Sequence, residues 1–165
     1  MRHELVVFPN GTASVRPVGS SEAMHSTIGA WEEARALYVA QSGLASKLVT
    51  QHPEPLVLFD VGMGIAANAL AAIDCWESLS AGKRRPLHVV SFENEIEGLR
   101  VALANSEKFP FYANRIVLLD SLLSLGVWKS EGLTWELRPG DFLKMNLSVE
   151  PAPEVIFYDF YSPKT

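Results

Sequence analysis

The chain carries a single cysteine among its 165 residues, so no internal disulfide framework can brace it. Cys75 stands in an alanine-rich segment, and the expectation for it is a small core residue in a reducing compartment. A basic surplus is missing as well: 14 Lys and Arg stand against 19 Asp and Glu, for a net charge of −5. Proteins that grip nucleic acid through their own surface displace counterions with Lys and Arg, and this composition offers no general cationic face. The one basic run, Lys83-Arg84-Arg85 between Gly82 and Pro86, reads as a solvated loop. No apolar stretch is long enough for a membrane span, and Met1-Arg2-His3-Glu4-Leu5 does not lead into the apolar core of a signal peptide. A cytoplasmic protein without membrane association is expected. Repeats, low-complexity tracts, an interdomain linker and a metal-ligand pattern are not evident either.

What is present is an ordinary globular composition, 48% hydrophobic and 20% charged, enough for a core. Glu4 to Arg16 reads as two short strands around "PNGT", because Asn-Gly supplies the positive φ angles of a hairpin turn. From Ser26, a plausible N-cap, Ile28, Trp31, Ala34 and Tyr38 recur at helical spacing, and Gly43 is a stop. Residues 1–50 are thus expected as a hairpin and a helix ahead of a core spanning 51–165. In that core, Leu56-Val57-Leu58-Phe59 lacks polar alternation and reads as a strand buried on both faces. A helix is expected from Ile65 to Leu79, a second buried strand from Leu87 to Glu93, and helices over Ile96–Ser106 and Asn114–Leu125. Strands over Leu133–Leu137 and up to Asp159 complete the order. This alternation predicts an α/β fold, a doubly wound sheet whose ligand lies beyond the carboxyl ends of the strands.

Four acids, Asp60, Glu93, Asp141 and Asp159, fall at or just after those strand ends. Each could cap a helix instead, but their recurrence marks a site. The turn "GMGIAA" after Asp60 fits the G-x-G-x-x-A dinucleotide fingerprint, and a plain tight turn is its alternative. In dinucleotide enzymes the pyrophosphate sits on the helix N-terminus, and an aspartate two residues before the first glycine opposes such an anion. A cationic ligand without phosphate suits the site better, and S-adenosylmethionine, with a sulfonium and an ammonium, is one. Glu93 would then accept from both ribose hydroxyls, and Asp141 would receive the adenine amino group.

The segments "MHSTIGAWEEA", "DVGMGIAANAL", "VSFENEIEGL", "RPGDFL" and "EVIFYDFYSPKT" together resemble the MnmC-like methyltransferases, which complete the methylaminomethyl group on the wobble uridine of certain bacterial tRNAs. The most specific parts are the G-x-G-x-x-x-N pattern of Gly62, Gly64 and Asn68, and the closing D-x-[FY]-[SA]-P-K from Asp159 to Lys164. The resemblance implies a Rossmann-like class I methyltransferase fold that is C-terminally incomplete here, the first part of a seven-stranded sheet. It implies that Asp60, Gly62, Gly64, Asn68, Glu93 and Asp141 hold S-adenosylmethionine, and that Asp159 and Tyr161 carry catalysis. His25, Phe160, Ser162 and Pro163 would border the incoming base, and tRNA would be the partner. The chain departs from the family's usual Gly-Thr-Gly-Leu-Asn at Gly64-Ile65-Ala66-Ala67-Asn68, and Met63 replaces an aromatic residue. A strand as apolar as "VIFY" at an open edge invites association, so a truncated chain or a homodimer that completes the sheet is expected. The alternatives are a nucleotide-binding dehydrogenase and a degenerate methyltransferase-like module that binds or assembles.

Overall fold

The computed structural model describes residues 3–160. Strands β1 (His3–Val7) and β2 (Ala13–Pro17) pair antiparallel as expected. Their connection is a loop over residues 8–12, closed by Phe8 N–H donating to Thr12 O at 2.8 Å, with Gly11 at φ 86°. Helix α1 (Ala30–Glu33) runs on into a π-helical segment, Ala34–Ala40. It starts at Ala30 and not at Ser26, because the Ser26 hydroxyl bonds Glu33 and accepts from Ile28 N. Gly29, at φ 99°, takes the cap position, and Ile28 is left exposed. Gly43 stops the segment in the left-handed conformation, and a further short helix α2 (Leu44–Leu48) follows that the sequence reading lacks.

The central sheet has the order β5-β6-β4-β3-β7. Strands β3 (Leu56–Val61), β4 (Leu87–Glu93), β6 (Leu133–Pro139) and β7 (Val155–Tyr158) are parallel, while β5 (Val127–Ser130) returns antiparallel on the outer edge of β6. Strand β5 was not expected. The crossover helices are α3 (Ala67–Ser78) between β3 and β4, then α4 (Glu97–Ala104) and α5 (Ile116–Leu125) between β4 and β6.

Strand β3 is buried on both faces, as expected, but the helices that a doubly wound sheet would place on both faces lie on one among the described residues. Alternate residues of a strand face opposite sides. Leu56, Leu58, Leu87, Val89, Leu133, Trp135, Val155 and Phe157 join one large cluster with residues of all five helices and with Ala13 and Val15 of the hairpin. Val57, Phe59, Val61, Val90 and Phe92 form a second, small cluster, against which Phe142, Met145 and Leu147 pack among the described residues. Topology explains the asymmetry. Right-handed crossovers that step from β3 to β4 to β6 in one direction place their helices on one face. The return from β6 past β3 to β7 crosses the other face, and residues 140–154 hold only the 3-10 turns Phe142–Lys144 and Leu147–Val149.

The basic run is not a solvated loop. Arg85 is buried, and its guanidinium makes paired bonds to Glu154 at 2.7 and 3.0 Å. Arg84 lies 3.5 Å from the Trp76 ring centroid and donates to the carbonyl of that residue. Both arginines therefore brace the amino ends of the strands and the end of α3. Cys75 packs at the edge of the larger cluster, and burial raises its thiol pKa.

Candidate functional site

The turn from β3 to α3 carries the tightest backbone requirement in the chain. Gly62 has φ 83°, and a Cβ there would stand 2.0 Å from the Asp159 carbonyl oxygen, so only glycine lets β7 close against β3. Gly64, at φ 53°, turns the chain into α3. Ala66 caps that helix in the left-handed region at φ 67°, a conformation that costs a non-glycine residue roughly 1–2 kcal/mol. The alanine at this point therefore sits on a backbone of glycine-like shape.

This turn floors a cavity of about 390 Å³ beyond the carboxyl ends of β3, β4, β6 and β7, lined by Gly62, Gly64, Asn68, Glu93, Asp141 and Asp159. It lies beside the β3–β7 pairing, where the strand order reverses, the usual ligand crevice of an open α/β sheet. His3, Met24 and His25 form the hairpin side, and Phe142 and Phe160 the opposite wall. Among the described residues, none of those that line the cavity is a Lys or Arg.

Glu93 is fixed by two backbone donors, Gly64 N–H to Oε2 at 2.8 Å and Glu95 N–H to Oε1 at 2.9 Å. Each oxygen keeps a further lone pair. The anion at the glycine turn is thus the protein's own carboxylate. Asp159 follows β7; its Oδ2 accepts from Asn68 Nδ2 at 2.9 Å, and the Tyr38 hydroxyl lies within its hydrogen-bonding reach. Burial and the Asp159 charge together push the Tyr38 phenol well above its ordinary pKa. His25 Nδ1 stands 3.3 Å from Ser14 Oγ, and burial lowers the imidazole pKa against the pull of Asp159 and Glu33. Phe160 packs its ring on Tyr158, 4.9 Å between centroids.

Asp60 and Asp141 sit differently from the sequence expectation. Asp60 shares a face with Leu56 and Leu58, is fully buried beneath the turn and does not line the cavity. Ser91 Oγ donates to its Oδ2 at 2.7 Å, and Trp135 Nε1 donates to Ser91 Oγ at 2.8 Å, while Oδ1 has no partner. Burial raises the Asp60 pKa to about 7; the Ser91 bond opposes this, and the charges of Asp159 and Glu93 add to it. Asp141 lines the cavity but also caps the turn at Phe142, accepting from Leu143 N at 3.0 Å and pairing with Lys144. Those two bonds lower its pKa. Tyr161, Ser162 and Pro163 lie outside the described residues.

Tyr38, Ser91 and Trp135 are participants that the sequence reading placed elsewhere or passed over. Tyr38 packs against the large cluster, as its helical spacing predicts, with its ring 5.4 Å from that of Phe157; its closeness to Asp159 has no signal in a one-dimensional pattern. At the rim, His3, Glu95 and Glu97 bring ligand atoms within 4.8 Å of one another. They come from the first strand and from the start of α4, so no sequence spacing announces the cluster.

No protein-family model matches the chain, and no curated protein does. Among solved structures, the crystal structure of MNMC2 from Aquifex aeolicus aligns with a TM-score of 0.71 and 24% identity, over 98% of this chain and 50% of that one. The chain has the fold of MNMC2. It spans half of the MNMC2 length, and the coverage includes the hairpin as well as the sheet. The α/β architecture with an N-terminal hairpin expected from the sequence is therefore the architecture present, and MNMC2 extends further than this chain does. No helix among the described residues is long and apolar enough to cross a membrane.

Proposed function

We propose that the cavity binds S-adenosylmethionine and that the chain belongs with the MnmC-like methyltransferases, acting on an aminomethyl group at the wobble uridine of tRNA. One observation carries the cofactor reading: among the described residues, the glycine-floored cavity is lined by carboxylates, without Lys or Arg, and its Gly64 N–H is already engaged by Glu93. A pyrophosphate would meet a carboxylate in the place where dinucleotide folds present free N–H groups. A cationic ligand meets complementary charge. Glu93, with lone pairs to spare on both oxygens, suits a vicinal diol, and Asp141 suits an amino donor at the far side. The unpartnered Oδ1 of Asp60 favours positive charge above it. Bound there, S-adenosylmethionine supplies an electrophilic methyl group.

The chain's own residues would handle the acceptor. An amine must be neutral to attack, and a carboxylate within reach accepts its proton. Asp159 fits that role, because it stands at the cavity and a neutral amide, Asn68, holds its Oδ2. Phe160, exposed at the cavity mouth, offers an aromatic face of the sort that stacks on unpaired bases. Tyr161, Ser162 and Pro163 complete the proposed acceptor side, and tRNA is the partner that the sequence resemblance names. The exposed side chains of β7 support a second copy of the chain as a further partner. Net charge and the thinly covered sheet face favour a second reading, a methyltransferase-like module that binds without transferring.

Calorimetry with S-adenosylhomocysteine and with NAD separates the cofactor classes, and binding of the first alone is expected. Incubation with labelled S-adenosylmethionine and undermodified tRNA, followed by digestion to nucleosides, should place label on the wobble uridine. Binding of S-adenosylhomocysteine with no labelled nucleoside would select the module reading. Preference for NAD would sink both.

A further inference from the structure

We infer that Asn68 is a positioning residue for Asp159, an assignment that rests on reading the cavity as a methyl-transfer site. Asn68 opens α3 directly after the glycine turn, and its side chain is buried. Its Nδ2 crosses 91 positions of sequence to donate to Asp159 Oδ2 at 2.9 Å. Two further ties hold the same residue. Asp159 N–H donates to Val61 O at 2.8 Å, and the absent side chain of Gly62 admits the Asp159 carbonyl.

The backbone and one carboxylate oxygen of Asp159 are thereby fixed from three positions on the β3–α3 unit. This matters because β7 has only one neighbouring strand among the described residues, and an edge strand cannot orient a side chain by packing alone. A neutral amide is the donor that suits the task. A Lys or Arg in its place would fix the oxygen too, but it would neutralise the charge that an incoming amine must meet.

The titratable groups facing Asp159 come from three other elements: Tyr38 from the π-helical segment, His25 from the stretch before α1, and Asp60 from β3. Glu33 acts on the first two, and Glu93 on Asp60. Asn68 supplies an uncharged donor in this set, so its contribution to Asp159 can be read without altering any other charge.

The test follows the carboxyl signal of Asp159 by carbon NMR across a pH series, assigned by its loss in Asp159→Asn, in the full chain and in Asn68→Ala and Asn68→Asp. Removal of a donor to the ionised form should raise the midpoint by about one pH unit in Asn68→Ala. Asn68→Asp, isosteric and the safer fold, should raise it further and couple the two titrations, as carboxylates that share a site do. An unchanged midpoint in both folded variants overturns the inference. If the unaltered chain binds no S-adenosylhomocysteine, the methyl-transfer reading fails, while the titration still decides whether Asn68 sets the state of Asp159.

Discussion

The two faces of the central sheet are built by the same strands yet bear little resemblance in packing. On one face, five helices and the hairpin bury Leu58 and Trp135 completely within one continuous cluster. On the other, Phe59, Val90 and Phe92 are screened by three side chains of a connection that contains only short 3-10 turns. Ile156 and Tyr158, next along that second face, remain half exposed. The difference teaches that burial of a strand in sequence terms, an apolar run without alternation, says that both faces are apolar and not that both are equally covered. The candidate site lies at the end of the sheet where the two sides meet. The packed side contributes Asn68, with Asp60 and Tyr38 behind the cavity wall, and the thin side contributes Phe142 and Phe160.

If the packed face carries the stability, the largest effect should come from Leu58→Ala. Truncating a fully buried leucine removes its transfer energy and leaves a cavity, together about 3 kcal/mol. The midpoint of urea unfolding should fall accordingly with little change in slope. A loss below about 1 kcal/mol would mean that the helices on that face can collapse onto the gap, and the contrast between faces would lose its energetic meaning.

An effect that is smaller per pH unit separates the buried acid of the packed face from the surface acids. Burial raises the folded-state pKa of Asp60 from 3.8 to about 7, so between those values the folded chain holds a proton that the unfolded chain has released. Its contribution to stability is complete below the lower value and is lost as pH rises through the upper one. Glu77, Glu136 and Glu154 run the other way, because their pKa values are lowered, partly through bonds to Arg115, Arg138 and Arg85. Comparing unfolding of Asp60→Asn and wild type across pH 4–7 should isolate the buried group, as a difference in slope of about 1.4 kcal/mol per pH unit at its steepest. Parallel stability curves would show that Asp60 stays ionised beneath the turn.

Much of this contrast could be read in the sequence, and the remainder could not for identifiable reasons. Strands β3, β4 and β7 announce themselves by apolar runs, and the glycine turn marks the ligand end of the sheet. Glu93 and Asp159 follow from their places after those strands. The side to which Asp60 points is illegible, because a strand apolar on both faces has no alternation to orient it. Strand β5, "VWKS", pairs only through β6, so no local signal distinguishes it from a loop. Arg84 and Arg85 look like a solvated run because their partners, Trp76 and Glu154, are set by tertiary contact. The left-handed Ala66 stands where a glycine would have signalled the turn, and its alanine concealed it.

The smallest stability effect is expected on the thin face, at Ile156→Lys. This position is 52% exposed, and exchanges at such sites away from special features usually change stability by less than about 0.5 kcal/mol. Its consequence should appear in association instead. Strand β7 has one paired edge and one free edge among the described residues, and an apolar free edge is a template for pairing with another chain. A lysine there removes the apolar contact and adds repulsion between copies. Light scattering coupled to size exclusion should therefore show the unaltered chain at twice the mass of the variant, with both unfolding at nearly the same urea concentration. A monomeric mass for both would leave the thin face without a second copy, whereas a marked loss of stability in the variant would show that Ile156 is packed by the chain itself and that the two faces are more alike than their burial indicates.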